Sequence, residues 1–298
     1  MAGHRIHPMK AILVLAAVVL TSLATQAEPV RILLIAGRPS HGPGDHEFRA
    51  GALLVQRSLN ALPGVQATVA SNGWPTAMTA FEGVAAVAIY ADGGAGHPAI
   101  QEDRMNFIHG LAKKGVGLGF LHYGVEVPKG DPGKAMQEWI GGYYEHEYSC
   151  NPMWSPEFRT FPDHPVARGV RPFSIRDEWY FNMRFREDMK GVASILVATP
   201  PDAVRDGPYV WPQGPYAHIR GAKGRSEAMM WVREREDGGR GLGFTGGHFH
   251  RNWGNPDFRK VVLNGLLWIA KAEVPAVGAE SALAEGEIER NLDPKGKK

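Results

Sequence analysis

Cysteine is nearly absent. Cys150 is the only one in 298 residues, so no disulfide can form within the chain. With no activating neighbour beside it, a lone cysteine reads as a small buried hydrophobe rather than a nucleophile. Charge of one sign is also lacking. Lys and Arg number 33 against 31 Asp and Glu, and setting aside Arg5 and Lys10 of the N-terminal segment leaves 31 against 31. So even a balance argues against nucleic acid or an anionic membrane surface as a partner. Familiar reaction motifs are missing as well. Gly42-Pro43-Gly44-Asp45-His46-Glu47 fails the dinucleotide pattern at its last position, and no Walker A, GxSxG, HExxH or CxxC spacing occurs. No nucleotide cofactor is expected, and no internal repeat is visible.

Residues 1–27 combine two basic residues, an apolar run over 11–20 and the small residues of Thr25-Gln26-Ala27. This reads as a secretory signal peptide, its apolar run short for a membrane span. An exported chain without disulfides suits a bacterial periplasm or cell surface, with no membrane partner after cleavage. The remaining chain of about 270 residues is long enough to bury a sizeable core.

Apolar runs at Val30 to Ala36, Val84 to Tyr90 and Val116 to Leu121 read as buried strands, and Val65 to Ala70 as an alternating one. Helical spacing covers Glu47 to Leu62, Pro98 to Lys114, Pro132 to Ile140 and Phe258 to Ala272. Trp179 to Phe185 and Ala193 to Ala198 read as further strands. Ala228 to Arg235 and Gly241 to Thr245 form a closing hairpin around Asp237-Gly238-Gly239. The order β-α-β-β-α-β, with strands needing cover on both faces, predicts an α/β layered domain with a mostly parallel sheet over 28–274. Residues 275–298 are a polar extension.

Ligands of such sheets sit beyond the carboxyl ends of the strands. His41, Asp45, His46 and Glu47 follow the first strand, Asp92 follows Tyr90, His122 ends Leu121, and His248 and His250 follow Thr245. Of the ten histidines beyond residue 27, five fall in three of these places, which favours convergence over chance. Neutral imidazole serves equally as metal ligand and as near-neutral acid or base. Glu47 is expected to open a helix rather than join a site. Of His248 and His250, one is expected to be structural if the strand turns there.

The stretches "GRPSHGPGDHEF", "SNGWP", "GLGFLHYG", "DEWYFNMRF" and "GRGLGFTGGHFHRNWGNPDFRKVVLNGLLWIAK" resemble the ThuA-like, trehalose-utilisation family, from about Val30 to Val274. The resemblance implies a flavodoxin-like three-layer sandwich similar to class I glutamine amidotransferases. In that fold a cysteine sits at the turn after a central strand. Here His122 holds that position, so glutamine hydrolysis by a cysteine nucleophile is ruled out. The family is linked to breakdown of trehalose, sucrose and related glycosides through 3-keto sugars. The resemblance implies a pocket of His41, His46, Asp92, His122, Glu178, Tyr180 and His248. Catalysis is assigned to His122, Asp92 and Glu178. Substrate binding is assigned to His46, Tyr180, His250 and Trp253. A divalent metal, where one is used, is assigned to His41, His122 and His248. The expected partner is a small carbohydrate. The alternative is a non-catalytic sugar-binding or scaffold module of the same fold.

Overall fold

In the computed structural model, described over residues 1–3 and 28–296, seven of the apolar or alternating segments join one sheet. They are β1 (Val30–Ala36), β2 (Val65–Ala70), β3 (Val84–Tyr90), β4 (Gly117–Leu121), β5 (Val192–Ala198), β6 (Glu227–Glu234) and β7 (Arg240–Phe244). The spatial order is β5-β6-β7-β4-β3-β1-β2. The five strands from β7 to β2 run parallel, and β6 lies antiparallel between β5 and β7. The expected signal segment falls, from residue 4 on, outside the described residues. Among the described residues no helix is long and apolar enough to cross a membrane.

Alternation along the strands sends successive side chains to opposite faces, and each face has its own helices. Ile32, Leu34, Ala88 and Phe244 pack with α1 (Phe48–Asn60) and α4 (Pro256–Ile269). Leu33, Ile35, Val87 and Phe120 pack with α2 (Arg104–Lys113) and α3 (Asp131–Trp139). The result is the three-layer α/β sandwich expected. Each buried Leu, Ile or Phe of these layers contributes about 1.5–3 kcal/mol relative to exposure. At Gly117 a Cβ would lie 2.1 Å from the Ile269 carbonyl oxygen, so glycine is what lets the end of α4 lie against β4.

The register matters most for function. Ala36 pairs with Tyr90, Tyr90 with Leu121, and Leu121 with Phe244. Four parallel strands therefore end in one row, and the loops leaving them start side by side.

Two expected elements differ. Pro98 to Lys114 is split into a 3-10 turn and α2, because Glu102 takes a left-handed backbone (φ 54°) between them. Trp179 to Phe185 is not one strand. Asp177–Glu178 and Arg184–Phe185 each pair briefly with other segments, and Asn182 (φ 57°) turns the chain between them. Burial of Trp179, Tyr180 and Phe181 gives that segment its apolar look without a ladder.

Candidate functional site

The row of strand ends delivers four side chains to one point. His46 enters from the loop before α1, His122 from the turn after β4, Glu178 from its two-residue strand, and His248 from the loop after β7. All four are buried. His46 Nε2 lies 3.0 Å from both His122 Nε2 and His248 Nδ1. Glu178 Oε2 lies 2.8 Å from His248 Nδ1 and 3.5 Å from His122 Nε2. The Tyr180 hydroxyl stands 3.3 Å from His122 Nε2.

The outer nitrogens fix the tautomers. A carbonyl only accepts, so His122 Nδ1–H donates to the Thr245 carbonyl at 2.9 Å. His46 Nδ1–H donates to Asp92 Oδ1 at 3.1 Å. Both neutral rings then turn their Nε2 lone pairs inward, 3.0 Å apart. Two such lone pairs repel unless a proton or cation lies between them. A divalent ion bound by imidazole at about 2.0–2.1 Å in a tetrahedron would set its donors roughly 3.3 Å apart. Four of the six donor spacings, at 2.8–3.5 Å, bracket that value, and all six lie within 4.8 Å. A ligand histidine whose other nitrogen is held by a carboxylate or carbonyl is also the usual outer arrangement of such centres. The donor set therefore fits a divalent cation on chemistry and spacing.

The electrostatics agree. Burial pushes the His46 pKa well below its ordinary value, and the neighbouring His122, His41 and His248 push it further, keeping it neutral. Burial opposes ionisation of Glu178, but the neighbouring His122 and His248 outweigh it, and its pKa falls. Burial likewise opposes charging His248, yet Glu178 raises its pKa. Backbone strain is concentrated at the same place. His41 (φ 61°), His46 (φ 47°) and His122 (φ 52°) all occupy the left-handed region, at about 1–2 kcal/mol each.

His41 does not take the inner position expected of it. It is exposed at the rim, with Nδ1 3.8 Å from Asp92 Oδ1 and its ring 3.6 Å from that of His46. His46 holds an inner position, and His122, Glu178 and His248 stand with it. His250 and Trp253 lie outside the cluster. The chain turns after His248, so His250 Nε2–H donates to the Ile288 carbonyl at 2.9 Å, and Trp253 packs between Tyr90 and Phe258 in the core. Glu47 does open α1, where it accepts from the Gly44 N–H at 2.9 Å.

Several contributors had no signal in the sequence pattern. Asp177 accepts from the backbone N–H groups of Glu178, Gly247, His248 and Phe249 at 2.8–3.3 Å, tying both acidic and histidine arms together. Its place beside Glu178, just before Trp179-Tyr180-Phe181, was the one available hint. Glu126 belongs to the turn after β4, which Gly93 closely approaches, since a Cβ there would lie 2.2 Å from the Tyr123 oxygen. Burial, with the charge of Glu178, pushes the Glu126 carboxyl up to about 8 from an ordinary value near 4.5. A neutral acid in the fold that ionises when unfolded makes stability fall as pH rises from about 4.5 to 8. In chelator-treated protein, Glu126→Gln is expected to remove on the order of a few kcal/mol of that slope, read from urea unfolding at pH 5 and pH 8. Equal slopes in the two proteins would show that Glu126 is ionised in the fold.

Asp92 faces outward from the cluster into a cleft of about 540 Å³, lined also by Arg38, Asn72, Trp74, Gln101 and Arg104. That size lies within the range of small-molecule sites, about 300–1,000 Å³. Burial raises the Asp92 pKa, with Ser40 and His41 opposing. A larger cleft of about 760 Å³ lies around Arg184 and Arg225; none of the four cluster residues lines either cleft, and Asp92, bonded to His46, links the smaller one to the cluster.

A mostly parallel sheet covered by helices on both faces, with a histidine-carboxylate cluster at its strand ends, defines an α/β sandwich of the flavodoxin-like type. The chain belongs to the ThuA, trehalose-utilisation family, whose model matches residues 42–269. Its fold is similar to crystal structures of ThuA-like proteins from two organisms. That from Bacteroides uniformis ATCC 8492 has 13% identity and a TM-score of 0.55, covering 81% of this chain and 92% of the other. That from Parabacteroides merdae ATCC 43184 has 14% identity and a TM-score of 0.54, covering 85% and 98%. No curated protein matches the chain. The family ties the protein to sugar metabolism.

Proposed function

We propose that this is an exported enzyme that breaks a glycoside after its sugar has been oxidised to a 3-keto form. The observation that carries the reading is the inward convergence of three imidazole nitrogens and one carboxylate oxygen beside a cleft bordered by Asp92. His46, His122, Glu178 and His248 would hold a divalent cation, which supplies Lewis-acid polarisation of the substrate carbonyl. Of the two carboxylates lining the cleft, Asp92 and Glu102, Asp92 is the one bonded to the cluster through His46. Its raised pKa makes it a better base near neutrality than an ordinary carboxylate. Asp92 takes the C2 proton of the 3-keto sugar. The C–H electron pair forms the C1=C2 bond, the C1–O glycosidic bond breaks, and the leaving oxygen takes a proton from an acid. His41 stands at the rim beside Asp92, but burial lowers its pKa and disfavours its protonated form, so that acid is water. Export rests on the N-terminal sequence.

The test is turnover of a panel of 3-keto-glycosides by purified protein, metal-loaded and chelated. Elimination products that disappear on chelation and return with added metal are the expected result. Saturable sugar binding with no product under any condition would favour the non-catalytic module.

A further inference from the structure

The C-terminal segment lies beyond the residues matched by the family model, yet it reaches the loop that carries His46. Lys295 is buried, its side chain 6% exposed, against a Glu47 that is 1% exposed. An ammonium group has three donors, and Lys295 Nζ meets three acceptors. They are Glu47 Oε1 at 3.2 Å, the Asp45 carbonyl in a short contact, and the His46 carbonyl at 3.3 Å. The backbone N–H of Asp293 donates to the other Glu47 oxygen at 2.8 Å, and the Gly44 N–H donates to Oε1. Arg49 anchors the segment from outside through Asp293 Oδ1 at 3.1 Å and the Leu292 carbonyl at 3.0 Å. His46 sits between these bonds with a left-handed backbone, a conformation that persists only where its surroundings over-determine it. Its N–H is held by the His248 carbonyl at 2.9 Å, and its carbonyl is held by Lys295.

We propose that Lys295 is a positioning residue that holds His46 in its inward conformation, so that the C-terminal strap is part of the site. The proposal rests on the reading of the cluster as the functional centre. Removing the ammonium leaves two carbonyls without that donor and a buried carboxylate without the cation facing it. The loop then has a cheaper alternative, which is to release the strain at His46.

The test compares full-length wild type, Lys295→Met, Lys295→Arg and Asp293→Asn. Imidazole ¹⁵N spectra report the His46 tautomer, and hydrogen exchange reports its amide, both in metal-free protein. Lys295→Met is expected to speed exchange at the His46 amide at least tenfold and to mix its ring tautomers, with amides of β3 and β4 unchanged. Lys295→Arg is expected to restore most of the wild-type ring signature, and Asp293→Asn to keep it. Should Lys295→Met not fold, Lys295→Gln, which retains a donor to the carbonyls, is expected to shift the same signals by less. A folded variant lacking the ammonium with wild-type His46 ring and amide signals overturns the proposal. Titration with zinc alone separates the two readings. Wild type that takes up no zinc refutes the metal centre, while the His46 signals still support or overturn the strap.

Discussion

Asp92→Asn is expected to lower turnover of 3-keto-glycosides by about 10²–10⁴-fold, the usual contribution of a positioned general base. The substitution removes the proton acceptor and little else. The amide oxygen can still receive the His46 Nδ1–H that the carboxylate now receives at 3.1 Å. Metal content is therefore expected to survive, with affinity weakened by no more than about 10–100-fold, as for outer partners of a ligand histidine. His122→Ala is the companion. It deletes a buried inward nitrogen, and both metal binding and turnover are expected to go together. Metal analysis beside initial rates reads both variants. If Asp92→Asn retains full turnover, the base lies elsewhere and the outward face of the cluster is not the reacting face.

The second large effect is on stability. Asp177 is fully buried, and its two oxygens accept four backbone N–H groups, three of them from the Gly247-His248-Phe249 turn. Each buried donor left without a partner costs about 1–3 kcal/mol. Some would find water or relax, so Asp177→Ala is expected to lose at least about 3 kcal/mol. For a domain of this size that is roughly 6–12 °C in Tm. Asp177→Asn keeps one acceptor oxygen and is expected to fall between. Thermal unfolding measures both. A change in Tm below about 2 °C for Asp177→Ala would mean the turn holds its shape without the carboxylate. The two residues of the Asp177–Glu178 strand thus divide the work, one holding the frame and the other facing the cluster.

How much of this could be read beforehand depends on what kind of signal each residue left. The sheet strands and the helices were legible because burial on two faces writes continuous apolar runs and burial on one writes a helical period. His122 and Asp92 were legible because each closes or follows such a run, where a polar residue needs a partner. His41 stands at the rim and His46 turns inward. Both stand in a glycine- and proline-rich loop without periodicity, and both have left-handed backbones, so spacing carries no information on which ring turns inward. His250 and Trp253 lie outside the cluster because a turn after His248 sends the following residues into the core, which no spacing foretells. Glu178 was reached through family resemblance alone, since a strand of two residues has no period to read. The polar C-terminal segment gave no hint of burial because its anchors are charged side chains, Lys295 and Asp293, whose partners lie 244–250 positions away.

The row of strand ends has a further consequence. His46 and His248 are 202 positions apart and touch at the cluster, and His122 and Glu178 come from separate segments between them. An ion held there would be a cross-link joining four distant parts of a chain whose lone cysteine can form no internal disulfide. A ligand bound by the fold and not by the unfolded chain adds about 4 kcal/mol at a thousand times its dissociation constant. The unfolding temperature of this protein should then depend on free metal concentration, so that the proposed reaction centre and a staple of the fold would be titrated by the same ion.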